Sequence, residues 1–146
     1  MFELANVARP GVSEYISGSG ALSALDNRLE GFKTPLIVTG EKSYAAFTKF
    51  YKGNREFRVA KYDWSASFED MQRIADEFGE GVDVVLGVGG GRVIDTAKGV
   101  AQNLNVEYMT VPTVIATCAP YAPVAAVYHP DHTFREVAYF KRTAYA

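Results

Sequence analysis

The sequence predicts an α/β fold in which a parallel sheet is covered by helices on both faces and followed by a β-hairpin. Short β-branched runs alternate with helical stretches along most of the chain, which is typical of βαβ units with parallel strands. Two further β-like runs, at residues 124–128 and 134–140, are joined by a proline-containing turn and indicate the hairpin. The length of 146 residues suffices for one domain with its own core.

Hydrophobic periodicity in the first half of the chain predicts alternating strands and helices. They are a short strand near Val7, helices over residues 18–31, 41–52 and 67–79, and strands over residues 36–39 and 57–60. Gly31 suits the left-handed position after the first helix, and we expect Gly53 to end the second. Ser67 is expected to cap the third helix, whose first turn carries acidic side chains that interact favourably with the helix dipole.

The second half of the chain is arranged around a glycine-rich turn. A buried strand over residues 82–86 leads into Gly89-Gly90-Gly91, after which apolar residues recur at helical spacing up to Leu104. Another strand follows over residues 108–111. Glycines without Cβ atoms allow a ligand to approach the backbone, and the following helix N-terminus favours an anion. The turn therefore predicts a phosphate site, most naturally for a diphosphate, although a plain tight turn also needs glycine.

Two acidic residues lie where parallel strands lead into helices. Glu41 directly follows the strand at residues 36–39, where a carboxylate can accept hydrogen bonds from a ribose diol. The alternative is a solvated carboxylate at a helix N-terminus. Asp95 is expected to face back toward the glycines, to bind loop amides or a ribose hydroxyl, or to act as a cap. Lys98 stands at i+3 from Asp95 and can pair with it.

The connection from Val111 to Pro120 is long and apolar, with Thr113 and Thr117 set in it. Long ordered loops are often functional, and threonine hydroxyls suit phosphate and ribose oxygens. Cys118 has no evident base that would activate it as a nucleophile. His129 and His132 span a Pro-Asp turn and have no third ligand beyond Asp131, so their spacing does not favour a metal site.

Composition excludes several classes of partner. The net charge of −2 gives no footprint for nucleic acid or an anionic membrane surface. No apolar run is long enough to cross a bilayer, and the first residues do not form a signal peptide. The single cysteine, Cys118, permits no intrachain disulfide and fits a reducing cytoplasm. We therefore expect a cytoplasmic protein that binds neither nucleic acid nor membrane.

Three stretches of the sequence resemble the metal-dependent, iron-type alcohol dehydrogenases, and the nearest branch is that of the glycerol dehydrogenases. They are residues 87–98, which read GVGGGRVIDTAK, the Val111-Pro112-Thr113 triplet, and residues 116–120, which read ATCAP. The resemblance runs from about Tyr15 to the end of the chain. It covers the N-terminal half of that family.

The resemblance implies that residues 1–146 form a Rossmann-like NAD-binding domain, like the N-terminal domain of dehydroquinate synthase. In that family the glycines hold the pyrophosphate, which implies this role for Gly89, Gly90 and Gly91, and the loop threonines Thr113 and Thr117 line the cofactor cleft. Glu41 matches the acidic ribose-binding position, and Asp95 matches an aspartate on the nicotinamide side.

Family members also hold zinc or iron with an aspartate and two histidines of a second, helical domain. The metal polarises an alcohol or polyol oxygen for hydride transfer to NAD. We expect that domain to be absent from this chain, which alone should be inactive, while the full-length protein is expected to form a homo-oligomer. The resemblance places Cys118 at a substrate position where glycerol dehydrogenases have aspartate, and a cysteine accepts a polyol poorly. The alternatives are a glycerol-1-phosphate dehydrogenase or dehydroquinate-synthase relative, or a stand-alone nucleotide-binding module without catalysis.

Overall fold

The computed structural model describes residues 14–114, 119–122 and 124–139. The strand predicted near Val7 lies outside these residues. A 3-10 turn at Ala21–Ala24 precedes the regular elements, which alternate as predicted. They are α1 (Leu25–Arg28), β1 (Pro35–Thr39), α2 (Glu41–Phe50), β2 (Arg58–Lys61), α3 (Phe68–Phe78), β3 (Val84–Gly89), α4 (Gly91–Leu104), β4 (Glu107–Pro112), β5 (Val124–Tyr128) and β6 (Phe134–Tyr139).

The first four strands form one parallel sheet in the order β2-β1-β3-β4, which confirms the predicted fold class. The chain proceeds outward from β1 to β2 in one direction and from β3 to β4 in the other. The order therefore reverses between β1 and β3. In open α/β sheets, ligands bind in the crevice beyond the carboxyl ends of the strands at such a reversal.

Strand side chains alternate between two apolar layers, since successive Cβ atoms point to opposite faces of a sheet. On one face, Leu36, Val38 and Val85 pack with the apolar sides of α3 and α4. On the other face, Ile37 and Leu86 pack with α1 and α2. All five side chains have no exposed surface, so both faces of the sheet are covered.

Two predicted helices are shorter than expected. Gly18 and Gly20 have φ of 122° and 79°, so the chain enters helical geometry only after them, although Leu25 and Leu29 are buried as the pattern predicts. Gly31 has φ of 89° and takes the left-handed position predicted for it. Helix α2 ends at Phe50, because Tyr51 is extended and its hydroxyl bonds to Asp26 in α1. The helix predicted to reach Lys52, just before Gly53, therefore ends two residues earlier.

The β-hairpin β5-β6 forms its own antiparallel sheet, as predicted, and packs on α4 through Val127. The backbone N–H of Tyr128 donates to the carbonyl of Ala66 at 3.1 Å, which ties the hairpin to the loop before α3. That loop ends at Ser67, whose Oγ accepts from the Asp70 N–H at 3.1 Å and caps α3 as predicted. Within the described ranges, none of the helices combines the length and apolar character required to span a membrane.

Candidate functional site

A cleft of about 480 Å³ opens at the reversal point of the sheet. Its walls come from the loops that follow all four parallel strands and from the first turns of α2 and α4. The lining residues are Gly40, Lys42, Ser43, Ala46, Tyr62, Trp64, Gly90, Gly91, Arg92, Val93, Thr113 and Val114. The strand-end loops that the sequence singled out therefore converge on one cleft.

The glycine turn forms the floor of this cleft. Gly89 ends β3 with φ of 156°, and a Cβ atom there would lie 2.9 Å from Cβ of Val93. Gly90 is extended, with φ of −88°, and a Cβ there would meet only Val114, at 3.2 Å. Gly89 therefore lets the strand turn tightly into α4, while the missing side chain of Gly90 leaves room for a ligand.

Two helices begin at the cleft with a glycine at the N-cap. Gly40 precedes α2 and Gly90 precedes α4, and neither helix has a side-chain cap among the described residues. The first N–H groups of each helix therefore have no partner within the helix and carry the positive end of its dipole. Helix α3, by contrast, is capped by Ser67. The cleft is thus suited to a ligand with two neighbouring anionic groups, such as a diphosphate.

Glu41 lies at the rim of the cleft, between the lining residues Gly40 and Lys42. Its side chain is 80% exposed, and Oε1 lies 3.0 Å from Nζ of Lys61 at the end of β2. The position fits the predicted contact with a ribose, which remains a prediction. Lys61 is a neighbouring cation that the sequence did not reveal, because β2 pairs with β1 only in the folded sheet.

Asp95 is turned away from solvent, as predicted, but the bond found for its carboxylate goes to the hairpin and not to the glycine loop. Oδ2 accepts from the Ala126 N–H in β5 at 3.1 Å, and Oδ1 lies 3.7 Å from Nζ of Lys98, the predicted i+3 pair. Burial raises the pKa of Asp95 to about 6, although the Lys98 charge and the Ala126 N–H favour the ionised form. Its role toward a cofactor stays a prediction.

Thr113 lines the cleft, and its backbone N–H donates to the carbonyl of Gly89 at 3.1 Å. This bond joins the loop after β4 to the glycine turn, so the two loops lie side by side at the cleft. Thr117 and Cys118 lie outside the described residues, and their assignments as cofactor-binding and substrate residues stay predictions.

The sequence alone did not reveal that Tyr62, Trp64 and Arg92 contribute to the cleft. Trp64 and Tyr62 lie in the loop after β2, with ring centroids 5.2 Å apart, and Trp64 is 56% exposed. Arg92 follows the glycines directly, and its guanidinium lies 4.1 Å from the ring centroid of Tyr128 in β5. A single tryptophan in a polar stretch and an arginine beside the glycine turn were the available signals, but only the folded loops bring them together.

The described residues fit a dinucleotide but not a metal ion. Two uncapped helix N-termini and a glycine floor suit the diphosphate of NAD. No group of three His, Cys, Asp or Glu side chains that could hold a metal ion occurs in the part of the chain that the structure describes. His129 and His132 lie in the exposed hairpin turn, where the N–H of His132 donates to the His129 carbonyl at 2.8 Å.

Comparison with known proteins identifies relatives of this chain. The sequence profile described as iron-containing alcohol dehydrogenase matches residues 12–146. The glycerol dehydrogenase of Thermotoga maritima is 30% identical over 138 residues, which cover 88% of this chain and 36% of that protein. Hydroxycarboxylate dehydrogenase A of Escherichia coli is 44% identical over 63 residues, or 43% of this chain and 17% of that protein.

Solved structures share the fold of this chain. The structure of a probable glycerol dehydrogenase from Sinorhizobium meliloti superposes with a TM-score of 0.80 at 24% identity, over 94% of this chain and 40% of that one. An iron-containing alcohol dehydrogenase from Thermotoga maritima gives a TM-score of 0.75 at 17% identity, over 92% of this chain and 45% of that one. The chain spans less than half the length of these relatives. Because the family profile covers residues 12–146 and the Thermotoga maritima glycerol dehydrogenase is 30% identical, the chain belongs to the iron-containing alcohol dehydrogenase family.

Proposed function

We propose that this chain is the NAD-binding part of a metal-dependent alcohol or polyol dehydrogenase. The observation that carries the proposal is the pair of uncapped helix N-termini, those of α2 and α4, at the reversal point of the sheet. Family membership and the glycerol dehydrogenase relatives support the same function.

The chain's own residues bind and orient the cofactor. N–H groups at the start of α4, around Gly90 and Gly91, hold the diphosphate, and Glu41 accepts hydrogen bonds from the adenosine ribose. Thr113, on the opposite side of the glycine turn, lines the path toward the nicotinamide half. A cofactor held in this way would supply the hydride acceptor for oxidation of the carbon that carries the substrate hydroxyl.

The metal that the family name implies does not fit the described residues, since they contain no group of three ligands. We therefore place its ligands outside this part of the chain, in the longer protein that the relatives represent. We propose an alcohol or a polyol as the substrate class. The same proposal includes a substrate contact at Cys118. It also includes a cytoplasmic location, which the single cysteine supports.

The test uses the 146-residue chain in two assays. Isothermal titration calorimetry with NAD should show weak, saturable binding. Assays with glycerol and other small alcohols should show no turnover, with or without added zinc or ferrous iron. Absence of NAD binding would contradict the cofactor assignment, and chelator-sensitive turnover would show that the chain holds its own metal ligands.

A second candidate is a glycerol-1-phosphate dehydrogenase. It is favoured by a relative from Methanococcus maripaludis named glycerol-1-phosphate dehydrogenase [NAD(P)+], which is 29% identical over 110 residues, covering 74% of this chain and 29% of that protein. The substrate's phosphate would then need basic residues of the longer protein. Assays of the full-length enzyme with glycerol and with glycerol 1-phosphate separate the two candidates.

A further inference from the structure

Trp64 is a large apolar side chain held in the open at the edge of the cleft. It is 56% exposed, lines the cleft together with Gly90 and Gly91, and packs against the ring of Tyr62, at 5.2 Å between centroids. Tyr62 in turn reaches Gly40 at the start of α2, where a Cβ atom would lie 3.2 Å from Cε1 of the tyrosine ring. The two aromatic rings therefore continue the wall that the glycine turn begins.

The backbone of Trp64 is strained. Its φ is 75°, in the left-handed region, where a bulky L residue is a conformational outlier. Hydrogen bonds of the preceding residue, Asp63, hold this backbone conformation. The Asp63 carboxylate accepts from the Ser65 N–H at 2.9 Å, and the Asp63 N–H donates to the carboxylate of buried Asp70 at 2.9 Å. The fold thus maintains a costly conformation at a position where the side chain contributes little to the core.

Arg92 fixes the same loop from the glycine turn. Its Nη1 donates to the Trp64 carbonyl at 3.3 Å, while its guanidinium lies over Tyr128. The loop after β2, the first turn of α4 and the hairpin are thereby joined at the cleft. Trp64 is consequently positioned relative to the phosphate-binding turn and not merely exposed near it.

We propose that Trp64 is the aromatic platform on which the adenine ring of the bound cofactor stacks. This inference rests on the proposed function. The strand order indicates that Trp64 lies at the adenine end of the cofactor. The proposed diphosphate site follows β3, the proposed ribose contact Glu41 follows the neighbouring strand β1, and Trp64 follows β2, the next strand of the sheet. Neighbouring strands lie about 4.8 Å apart, so this progression matches the reach of an adenosine group. Aromatic faces stack on nucleobases without needing hydrogen bonds.

The experiment exploits the fact that the sequence contains one tryptophan. Indole fluorescence of the 146-residue chain therefore reports on Trp64 alone. We expect AMP, ADP-ribose and NAD to quench it saturably, whereas nicotinamide mononucleotide and inorganic pyrophosphate should not. Calorimetry with the same ligands gives the affinities independently of the fluorescence signal.

Substitutions separate a binding role from a structural one. Trp64→Ala and Trp64→Gly should weaken ADP-ribose and NAD at least about fivefold, since base–aromatic stacking contributes that much or more. Trp64→Phe keeps an aromatic face and should retain most of the affinity. Glycine suits a φ of 75°, so Trp64→Gly should melt no lower than the wild type while it loses affinity. Phe50→Ala, which removes an aromatic side chain that is 64% exposed outside the cleft, is the matched control.

Three results would overturn the platform. If NAD binds the wild type but leaves the fluorescence unchanged, or binds Trp64→Gly as tightly as the wild type, Trp64 does not contact adenine and the proposed function still stands. If NAD does not bind the wild type at all, both the platform and the proposed cofactor site are wrong.

Discussion

Lys98 and Asp95 form an ion pair inside the protein, one helical turn apart on α4, with Nζ and Oδ1 separated by 3.7 Å. Lys98 has no exposed surface, and its Nζ also donates to the carbonyls of Ala122 and Val124 at 2.7 and 2.8 Å. Asp95 accepts from the N–H of Ala126. The pair therefore fastens the start of the hairpin to the helix that carries the glycine turn.

Lys98→Met should destabilise the fold strongly. It leaves the buried Asp95 carboxylate without its countercharge and the carbonyls of Ala122 and Val124 without this donor. Removing one partner of a buried ion pair costs about 3–5 kcal/mol. Urea denaturation followed by circular dichroism measures the change, and Lys49→Met on the exposed side of α2 is the control, with an expected effect within about 0.5 kcal/mol. A loss equal to that of the control would mean that the hairpin is held by other contacts.

Asp95→Asn should change how stability depends on pH. The pKa of Asp95 is about 6 in the folded protein, above its usual value, so the folded state binds this proton more tightly than the unfolded state. The resulting stabilisation is fully present below about pH 4 and is lost as the pH rises through about 6. Relative to Asp95→Asn, the wild type should therefore gain on the order of 2–3 kcal/mol between neutral pH and about pH 4.

Urea titrations of both proteins across this pH range measure that difference. Asp131→Asn provides a control of opposite sign, because hydrogen bonds from Thr133 lower the pKa of the Asp131 carboxyl in the hairpin turn. The wild type should lose stability relative to Asp131→Asn as the pH falls. Parallel pH curves for the wild type and Asp95→Asn would show that Asp95 titrates as it does in water.

Glu41→Ala should weaken NAD and narrow the preference for NAD over NADP. If Glu41 accepts hydrogen bonds from the ribose hydroxyls, as we propose, its carboxylate also repels a 2′-phosphate, and a hydrogen bond to a charged group corresponds to a roughly tenfold preference or more. Calorimetric titration of both cofactors measures it. Lys61→Met removes the 3.0 Å ion pair but keeps the carboxylate, so it should preserve the affinity for NAD. Equal losses in both variants would assign the effect to the ion pair and remove Glu41 from the ribose site.

The sheet was predictable because its strands are short β-branched runs with clear boundaries. The pattern around Leu36 and Val85 fixes buried strands on its own, and the glycines after β3 mark the switch into α4. Helix ends were less predictable, since Tyr51 leaves α2 for a contact with Asp26, which is distant in sequence.

The candidate site could likewise be predicted only in part. Gly90 and Thr113 could be placed in one cleft because the carboxyl ends of parallel strands meet at one edge of the sheet. The bond of Asp95 to Ala126 could not be predicted, because it depends on how the hairpin packs back on α4. Lys61 and Trp64 were missed for the same reason: both reach the site through strand pairing and loop geometry rather than through a local motif.

The central claim is that the glycine turn holds the diphosphate of NAD, and Gly90→Val tests it most directly. Gly90 has φ of −88°, which any residue adopts, so the variant should fold, with valine side-chain atoms filling the space beside Val114 at the start of α4. Gly90→Ala provides a graded intermediate, and thermal melts establish that each variant is folded.

Calorimetric titration of NAD into the wild type and the folded Gly90 variants is the deciding measurement. The wild type should bind NAD, Gly90→Ala should bind it more weakly, and Gly90→Val should show no saturable heat. Unchanged affinity in folded Gly90→Val would contradict the account, because the turn would then be a structural feature and the cofactor would bind elsewhere.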